Sequence, residues 1–268
     1  MTAQKDKEKT NLEANGVETL ETGMSLLEAL IRLGRPSMLK TLSEAAQMSP
    51  SKAHRYLVSL QRMGFVDRDA ASGYYKLGQK AAHVGLAALA SADPVRLATQ
   101  IATELRERFD VTTLVAVWGN HGPTIVRIEE GSRPEINART GTVVSLLSSS
   151  SGRVFAAYLP QRAIKTILQH ELKINAKRKD PHFISSMSDA QALIAETRKN
   201  QMGYVAGNMT PGVNALAAPI FDYKGYPAAV VAITKAGDGS DAGLQGPMAA
   251  ALQELTKKAS TEIGYCGI

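Results

Sequence analysis

The residues with the clearest chemical potential are hydrogen-bond donors clustered just after position 50. Ser51, Lys52, His54 and Arg55 fall within five consecutive positions. Arginine can bind guanine through two hydrogen bonds, lysine reaches guanine or a phosphate, and serine and histidine donate to phosphates or bases. At the N-terminal end of a helix, such side chains can meet base edges in the major groove of DNA. The cluster therefore predicts a DNA-reading surface.

Three short helices are predicted to position this cluster. Leucines at helical spacing indicate a first helix that ends at Gly34, and a second short helix follows it. The third helix is predicted over residues 51–63, with Ser49 or Ser51 as its N-cap and Gly64 as its C-cap. Two short helices joined by a tight turn, the second of them amphipathic, are typical of a helix-turn-helix.

A β-hairpin is predicted directly after these helices, with strands at 65–68 and 74–77 and a turn at 69–73. It adds a wing, from which Arg68 and Lys76 can bind phosphates, while Ser59 and Arg62 lie further along the third helix and favour the DNA backbone. The candidate DNA-contacting residues are Ser49, Ser51, Lys52, His54, Arg55, Tyr56, Ser59, Arg62, Arg68 and Lys76.

Local charge separates this interpretation from a plain three-helix packing module with a solvated basic face. Between Arg35 and Arg68 the chain has six basic and two acidic residues, a balance of +4 within a whole-chain net charge of +6. The wing and this local excess favour DNA binding, because phosphates attract a concentrated positive surface. The packing module remains the alternative for these helices.

The remainder of the chain has a mixed α/β pattern. Strands are predicted in pairs and helices interrupt the pairs, which favours an antiparallel sheet covered by helices. The predicted fold is therefore α+β and multidomain. Its parts are a disordered tail (1–15), a winged helix-turn-helix (16–77), a linker helix (78–94) and a larger C-terminal domain (95–268).

Composition excludes several other classes. A single cysteine, Cys266, rules out a disulfide within the chain and favours a cytoplasmic location, and no long apolar run suggests a membrane span. No His, Cys, Asp and Glu spacing suits a metal. The Ser-Pro-Ser-Lys stretch at 49–52 has the S-x-x-K spacing, but it lies in the recognition helix without a K-T-G partner. We therefore expect that the protein is not an enzyme and that it binds no metal or cofactor.

The sequence resembles the IclR family of bacterial transcriptional regulators over about residues 16–264. The resemblance is carried first by the stretches 41–46 and 48–57, then by Gly64-Phe65-Val66 and Tyr75-Lys76-Leu77-Gly78. A second set follows in the other half: Ser151-Gly152-Arg153, Leu159-Pro160, Met202-Gly203-Tyr204 and Ala217-Ala218-Pro219-Ile220-Phe221-Asp222. The resemblance implies that residues 95–268 form a GAF- or PAS-like effector-binding and oligomerisation domain. It also implies dimers, or dimers of dimers, on palindromic operators.

The resemblance also implies an effector pocket between the sheet and a helix start. The matching positions are Arg133, Ile136, Val144, Ser149, Ser150, Ser151, Asn208, Ala215, Ala232 and Thr234. A helix N-terminus favours an anion, and small strand residues leave room for a ring or chain. We expect a small organic carboxylate, with aromatic acids as candidates. The sequence departs from its relatives at Ser148–Ser151 and Gly207-Asn208, so effector identity does not transfer.

Two alternatives to a sensor have the same overall pattern of helices and strands. An enzyme fused to a DNA-binding head lacks a recognisable nucleophile or phosphate-binding motif. A C-terminal domain that only oligomerises or contacts another protein is the second alternative. The partners expected are double-stranded DNA, a small-molecule effector and further copies of this chain in a homodimer or homotetramer, with no membrane. Repression and activation are both compatible with the sequence.

Overall fold

The chain divides into two compact units, Met1–Ser91 and Ala92–Ile268. The structure is a computed structural model, and it describes residues 16–133, 138–178, 180, 183–207, 212–236 and 243–267. The predicted tail at 1–15 lies outside the described residues. The predicted linker at 78–94 spans the division between the units, and its role as a linker stays a prediction.

The first unit is a winged helix-turn-helix. Its elements are α1 (Glu18–Leu33), α2 (Leu39–Ala45), α3 (Pro50–Arg62), β1 (Val66–Arg68), β2 (Tyr75–Leu77) and α4 (Gln79–Ala90). Leu26, Leu42 and Leu57 are fully buried and form a core among the first three helices. Gly34 ends α1 in the left-handed region (φ 63°), where a side chain would be strained.

The wing is anchored to the turn between α1 and α2. Strands β1 and β2 pair antiparallel, with Asp67 opposite Lys76. Ser37 and Tyr75 exchange two backbone hydrogen bonds of 2.9 Å, which adds a bridge beside β2. The wing therefore extends from the core of the unit through main-chain contacts.

The second unit is a five-stranded antiparallel sheet with helices on both faces. Its strands are β3 (Thr112–Gly119), β4 (Gly122–Glu129), β5 (Gly203–Ala206), β6 (Val213–Phe221) and β7 (Pro227–Ala236), in the order β4-β3-β7-β6-β5. Its helices are α5 (Pro94–Phe109), α6 (Ser150–Tyr158), α7 (Gln161–Arg178), α8 (Met187–Asn200) and α9 (Pro247–Glu262). This architecture confirms the predicted α+β effector domain.

Alternation along the strands gives the sheet two different faces. On one face, Leu216 and Ile233 pack with α5 and α9. On the other face, Leu114, Ala217 and Ala232 pack with α6, α7 and α8. The second face is the one that the start of α6 approaches.

Helix α7 is the element that sequence reasoning missed. Its 18 residues are largely polar, and Pro160 directly before it reads as the end of a helix. Ile164, Leu168 and Leu172 nevertheless form a buried stripe at a spacing of four. Helix α8 begins after Ser186, whose hydroxyl accepts the capping hydrogen bond from the Asp189 amide.

Candidate DNA-binding and effector-binding sites

The first turn of α3 presents the predicted reading residues to solvent. Ser49 is the N-cap, and its hydroxyl accepts a hydrogen bond of 3.3 Å from the Lys52 amide. Ala53 and Leu57 face the core, so Ser51, Lys52, His54 and Arg55 are exposed on the opposite side. This arrangement is an unobstructed helix start of the kind that enters a major groove.

The other predicted residues of α3 differ in their environment. Tyr56 is half-buried and packs against α1, where a β-carbon added at Gly23 would lie 3.4 Å from its ring. The Ser59 hydroxyl donates to the Arg55 carbonyl at 3.3 Å, and Arg62 is exposed in the last turn. Tyr56 therefore has a packing role in this unit, whatever its contact with DNA.

The wing holds its two basic residues differently. The Arg68 guanidinium lies 5.4 Å from the centre of the Tyr75 ring and donates to the Gly73 carbonyl at 3.5 Å. Lys76 is exposed on the neighbouring strand. The hydroxyl and amide of Ser72 donate to Asp69, which lowers the pKa of that carboxyl and orders the wing tip.

Three predicted effector residues share the face of the sheet that α6 covers. Ala215 pairs with Thr234 and Ala217 pairs with Ala232, so Ala215, Ala232 and Thr234 point the same way. Ala232 and Thr234 are buried, and the Thr234 hydroxyl donates to the Thr112 carbonyl at 3.3 Å. Small side chains therefore line this part of the sheet.

The start of α6 is buried against that face. Ser149 is the N-cap and accepts a 2.9 Å hydrogen bond from the Gly152 amide, while Ser150 and Ser151 are 4% and 5% exposed. No described residue accepts a hydrogen bond from the amides of Ser150 and Ser151. Two amide donors at the positive end of a helix dipole, in a buried position, form a candidate anion site.

Close backbone packing fixes the position of this helix start. A β-carbon added at Gly203 on β5 would lie 2.1 Å from the Ser150 carbonyl oxygen, and one at Gly152 would lie 2.0 Å from the Ser145 carbonyl oxygen. Only glycine permits both approaches. The first turn of α6 therefore lies directly on the edge strand of the sheet.

Two charged side chains hold the turn that leads into α6, and sequence reasoning found neither role. Glu171 on α7 accepts hydrogen bonds from the Leu146 and Leu147 amides (2.7 and 3.0 Å) and from the Ser145 hydroxyl. Arg153 donates to the carbonyl oxygens of Leu147, at 2.8 Å, and of Tyr204. Burial lowers the pKa of the Arg153 guanidinium. The acidic Glu171 thus binds amide groups of the turn, and the basic Arg153 binds a carbonyl group of the same turn.

The remaining predicted effector residues lie elsewhere or outside the described chain. Val144 is half-buried beside the α6 face, and its amide donates to the Pro123 carbonyl at 2.8 Å. Arg133 is exposed; hydrogen bonds from Ser132, and to a smaller extent the charges of Arg106 and Arg133, lower the pKa of the Asp110 carboxyl. Ile136 and Asn208 lie outside the described residues.

The described residues contain no group of three or more His, Cys, Asp or Glu side chains that could hold a metal ion. None of the helices in the described ranges has the length and apolar character that crossing a membrane requires.

The two units together define a class: a regulator with a winged helix-turn-helix for DNA and a separate sheet domain with a buried helix start. Comparisons with known proteins agree. Residues 19–70 match the IclR helix-turn-helix domain, and residues 86–261 match the C-terminal domain of the bacterial transcriptional regulator IclR. The chain belongs to the IclR family of transcriptional regulators, and its homologues are regulators rather than enzymes.

Individual relatives cover most of the chain. The crystal structure of HmgR from Pseudomonas aeruginosa is 37% identical, with a TM-score of 0.81, over 94% of this chain and all of that one (100%). The transcriptional repressor IclR of Escherichia coli is 26% identical over 81% of this chain and 80% of its own length. An IclR homologue from Microbacterium hydrocarbonoxydans complexed with 4-hydroxybenzoate shares the fold (19% identity, TM-score 0.52, 91% and 98% covered).

Proposed function

We propose that this protein controls a catabolic operon by binding a palindromic operator, and that a small organic carboxylate changes that binding. Aromatic carboxylates are the leading class. The proposal rests on one observation above all: two buried amides, those of Ser150 and Ser151, have no acceptor among the described residues. The proposed binding to an operator rests on the exposed first turn of α3.

A carboxylate is the ligand that best suits the start of α6. Buried amide donors left unpaired cost free energy, and an anionic acceptor removes that cost while gaining from the helix dipole. The neighbouring Ala215 and Ala232 leave space for the body of the ligand, and the Thr234 hydroxyl adds a polar contact. The relative that holds 4-hydroxybenzoate has the same fold, which supports an aromatic acid.

The proposed contacts to DNA divide into two kinds. Arg55, Lys52, His54 and Ser51 read base edges from the first turn of α3, because a recognition helix inserts its N-terminal end into the groove. The DNA phosphates are contacted by Ser59 and Arg62 of α3 and by Arg68 and Lys76 of the wing. These phosphate contacts set affinity but carry no sequence information.

The apolar character of α4 supports assembly of several copies. None of its residues is buried within the chain, and Val84 and Leu86 are 53% and 64% exposed. A second copy of this chain would cover these side chains, and a twofold pair of α3 helices would match a palindromic operator. We propose a homodimer as the minimal unit, with a homotetramer distinguishable by light scattering after size-exclusion chromatography.

The test combines binding of small acids with binding of DNA. Calorimetric titration with benzoate, 4-hydroxybenzoate and aliphatic acids is compared with benzamide as the neutral control. Fluorescence anisotropy on a fragment from the gene's own upstream region then measures operator affinity with and without each acid. We expect at least one acid to bind and to change operator affinity, whereas tight binding of neutral compounds alone would contradict the proposal.

A pair of alanine substitutions locates the bound acid. Ala215→Leu fills the space on the α6 face of the sheet and is expected to abolish acid binding. Ala206→Leu is the matched control, because Ala206 is exposed and points to the other face of the same sheet. Equal acid binding by both variants would remove this face as the effector site.

A further inference from the structure

A cavity of about 360 Å³ lies along one side of α7, and none of its lining residues is among the predicted effector contacts. Its volume is in the range of small-molecule pockets. Ser145, Ser148 and Glu171 line one end, and Arg178 and Phe183 line the other. On α7, Ile174 and Asn175 lie between Glu171 and Arg178, whereas Ile167 and His170 line the cavity on the other side of Glu171.

The two ends of this cavity carry opposite charge. Glu171 and Arg178 are seven positions apart on one helix, which corresponds to about 10 Å along its axis. The Arg178 guanidinium lies over the Phe183 ring at 4.7 Å and forms no ion pair with any described residue. At the other end, Ser148 is only 5% exposed, and both oxygens of Glu171 already accept hydrogen bonds. The cavity thus has a cationic end at Arg178 and an accepting end at Glu171, with Ile174 and Asn175 on the helix between them.

We propose that this cavity is a second ligand site that takes a hydroxylated aromatic carboxylate in one orientation. The carboxylate binds Arg178, since arginine pairs with planar anions through two donors. The ring packs on Ile174 and Phe183, and the ring hydroxyl donates to Ser148 or Glu171. The reverse orientation places the carboxylate beside Glu171, where like charges repel.

Occupancy of this site reaches the start of α6 through the turn that precedes it, because Ser145 and Ser148 of that turn line the cavity together with Glu171. Glu171 forms part of the cavity wall and also binds the Leu146 and Leu147 amides, in the turn that precedes the Ser149 cap. A ligand whose hydroxyl donates a hydrogen bond to the Glu171 carboxylate alters the hydrogen bonds between Glu171 and that turn. The two sites are then coupled, and each ligand changes the affinity of the other by the same factor.

Methyl NMR of the full chain, with isoleucine δ1-methyl groups labelled, tests the second site directly. 4-Hydroxybenzoate is titrated, and benzoate is the comparison that lacks the hydroxyl donor. We expect saturable shifts at Ile167 and Ile174, with weaker binding of benzoate. Ile128, on the α6 face of the sheet, reports the proposed effector site separately, so failure of either site is visible without the other.

A charge reversal with a neighbouring control identifies the cationic end. Arg178→Glu is expected to weaken the Ile174 response by about tenfold or more. Lys177→Glu makes the same change in charge at the next, exposed position, outside the cavity lining, and is expected to leave the response nearly unchanged. The proposal is overturned if Ile167 and Ile174 show no saturable shift at millimolar 4-hydroxybenzoate, or if both charge reversals act equally.

Discussion

Two helices of this protein begin with the same kind of serine N-cap, one exposed to solvent and the other buried. Ser49 caps α3 and Ser149 caps α6, each by accepting a hydrogen bond from the amide three residues later. The first turn of α3 is exposed, whereas Ser150 and Ser151 in the first turn of α6 are almost completely buried. The local sequence signal is similar in both places, and the environment differs.

This difference teaches how one structural element can serve two kinds of anion. An exposed helix start meets a large partner, and its side chains provide the contacts because DNA stays outside the fold. A buried helix start meets a small partner, and its backbone amides provide the contacts because burial strengthens them. Four predictions test this contrast, in order of decreasing effect.

The largest effect is expected where α6 lies on β5. Gly203→Ala places a β-carbon 2.1 Å from the Ser150 carbonyl oxygen, and we expect it to lower the free energy of unfolding of the second unit by about 3 kcal/mol. Urea denaturation measures the loss. Gly85→Ala in α4 is the control: nothing lies within 4 Å of its β-carbon, so a gain of up to about 1 kcal/mol is expected. Unchanged stability of Gly203→Ala would show that the helix start is not held by close packing.

Arg55→Ala tests the exposed helix start. A bidentate base contact is worth about 1–3 kcal/mol, so operator affinity should fall by that amount and discrimination at one base pair should relax. Fluorescence anisotropy with operator and mutated operator measures both. Gln61→Ala, exposed near the end of the same helix, should have little effect. If Arg55→Ala binds the operator with unchanged affinity, Arg55 does not read bases.

The two capping serines allow a direct comparison. Ser149→Ala leaves the buried Gly152 amide without an acceptor, and the expected cost is about 1–2 kcal/mol of stability. Ser49→Ala exposes the Lys52 amide to water, and the expected cost is about 0.5–1 kcal/mol. Denaturation of both variants under the same conditions gives the difference. Equal losses would mean that burial does not distinguish the two helix starts.

The smallest effect is expected at the wing. Lys76→Ala should weaken binding to specific and non-specific DNA alike, and it should reduce the slope of log affinity against log salt by about 1. Anisotropy over a series of salt concentrations measures the slope. Lys258→Ala, an exposed lysine on α9 of the other unit, is expected to leave the slope unchanged. A loss confined to the operator sequence would instead make Lys76 a base-reading residue.

Local patterns predicted the bounds of α3, β1 and β2 to within one residue. Leu57 and Ala53 reveal the inner face of α3 through helical spacing, and Gly34 marks the end of α1 because a left-handed cap favours glycine. The family resemblance, rather than strand alternation, selected Ala215, Ala232 and Thr234, which lie on one face of the sheet. Because α7 is largely polar, its stripe of three buried residues did not stand out in the sequence, and the helix was not predicted.

The sequence by itself therefore determined the two units, the approximate start of each key helix and the basic character of the reading surface, because these depend on spacing and composition over short distances. Only the tertiary structure decided which helix start is buried. It also joined Glu171 to Leu146, 25 residues away in the chain, and brought Gly203 against Ser150. Such contacts join distant segments through hydrogen bonds and close packing. They cannot be predicted from the local periodicity of the sequence.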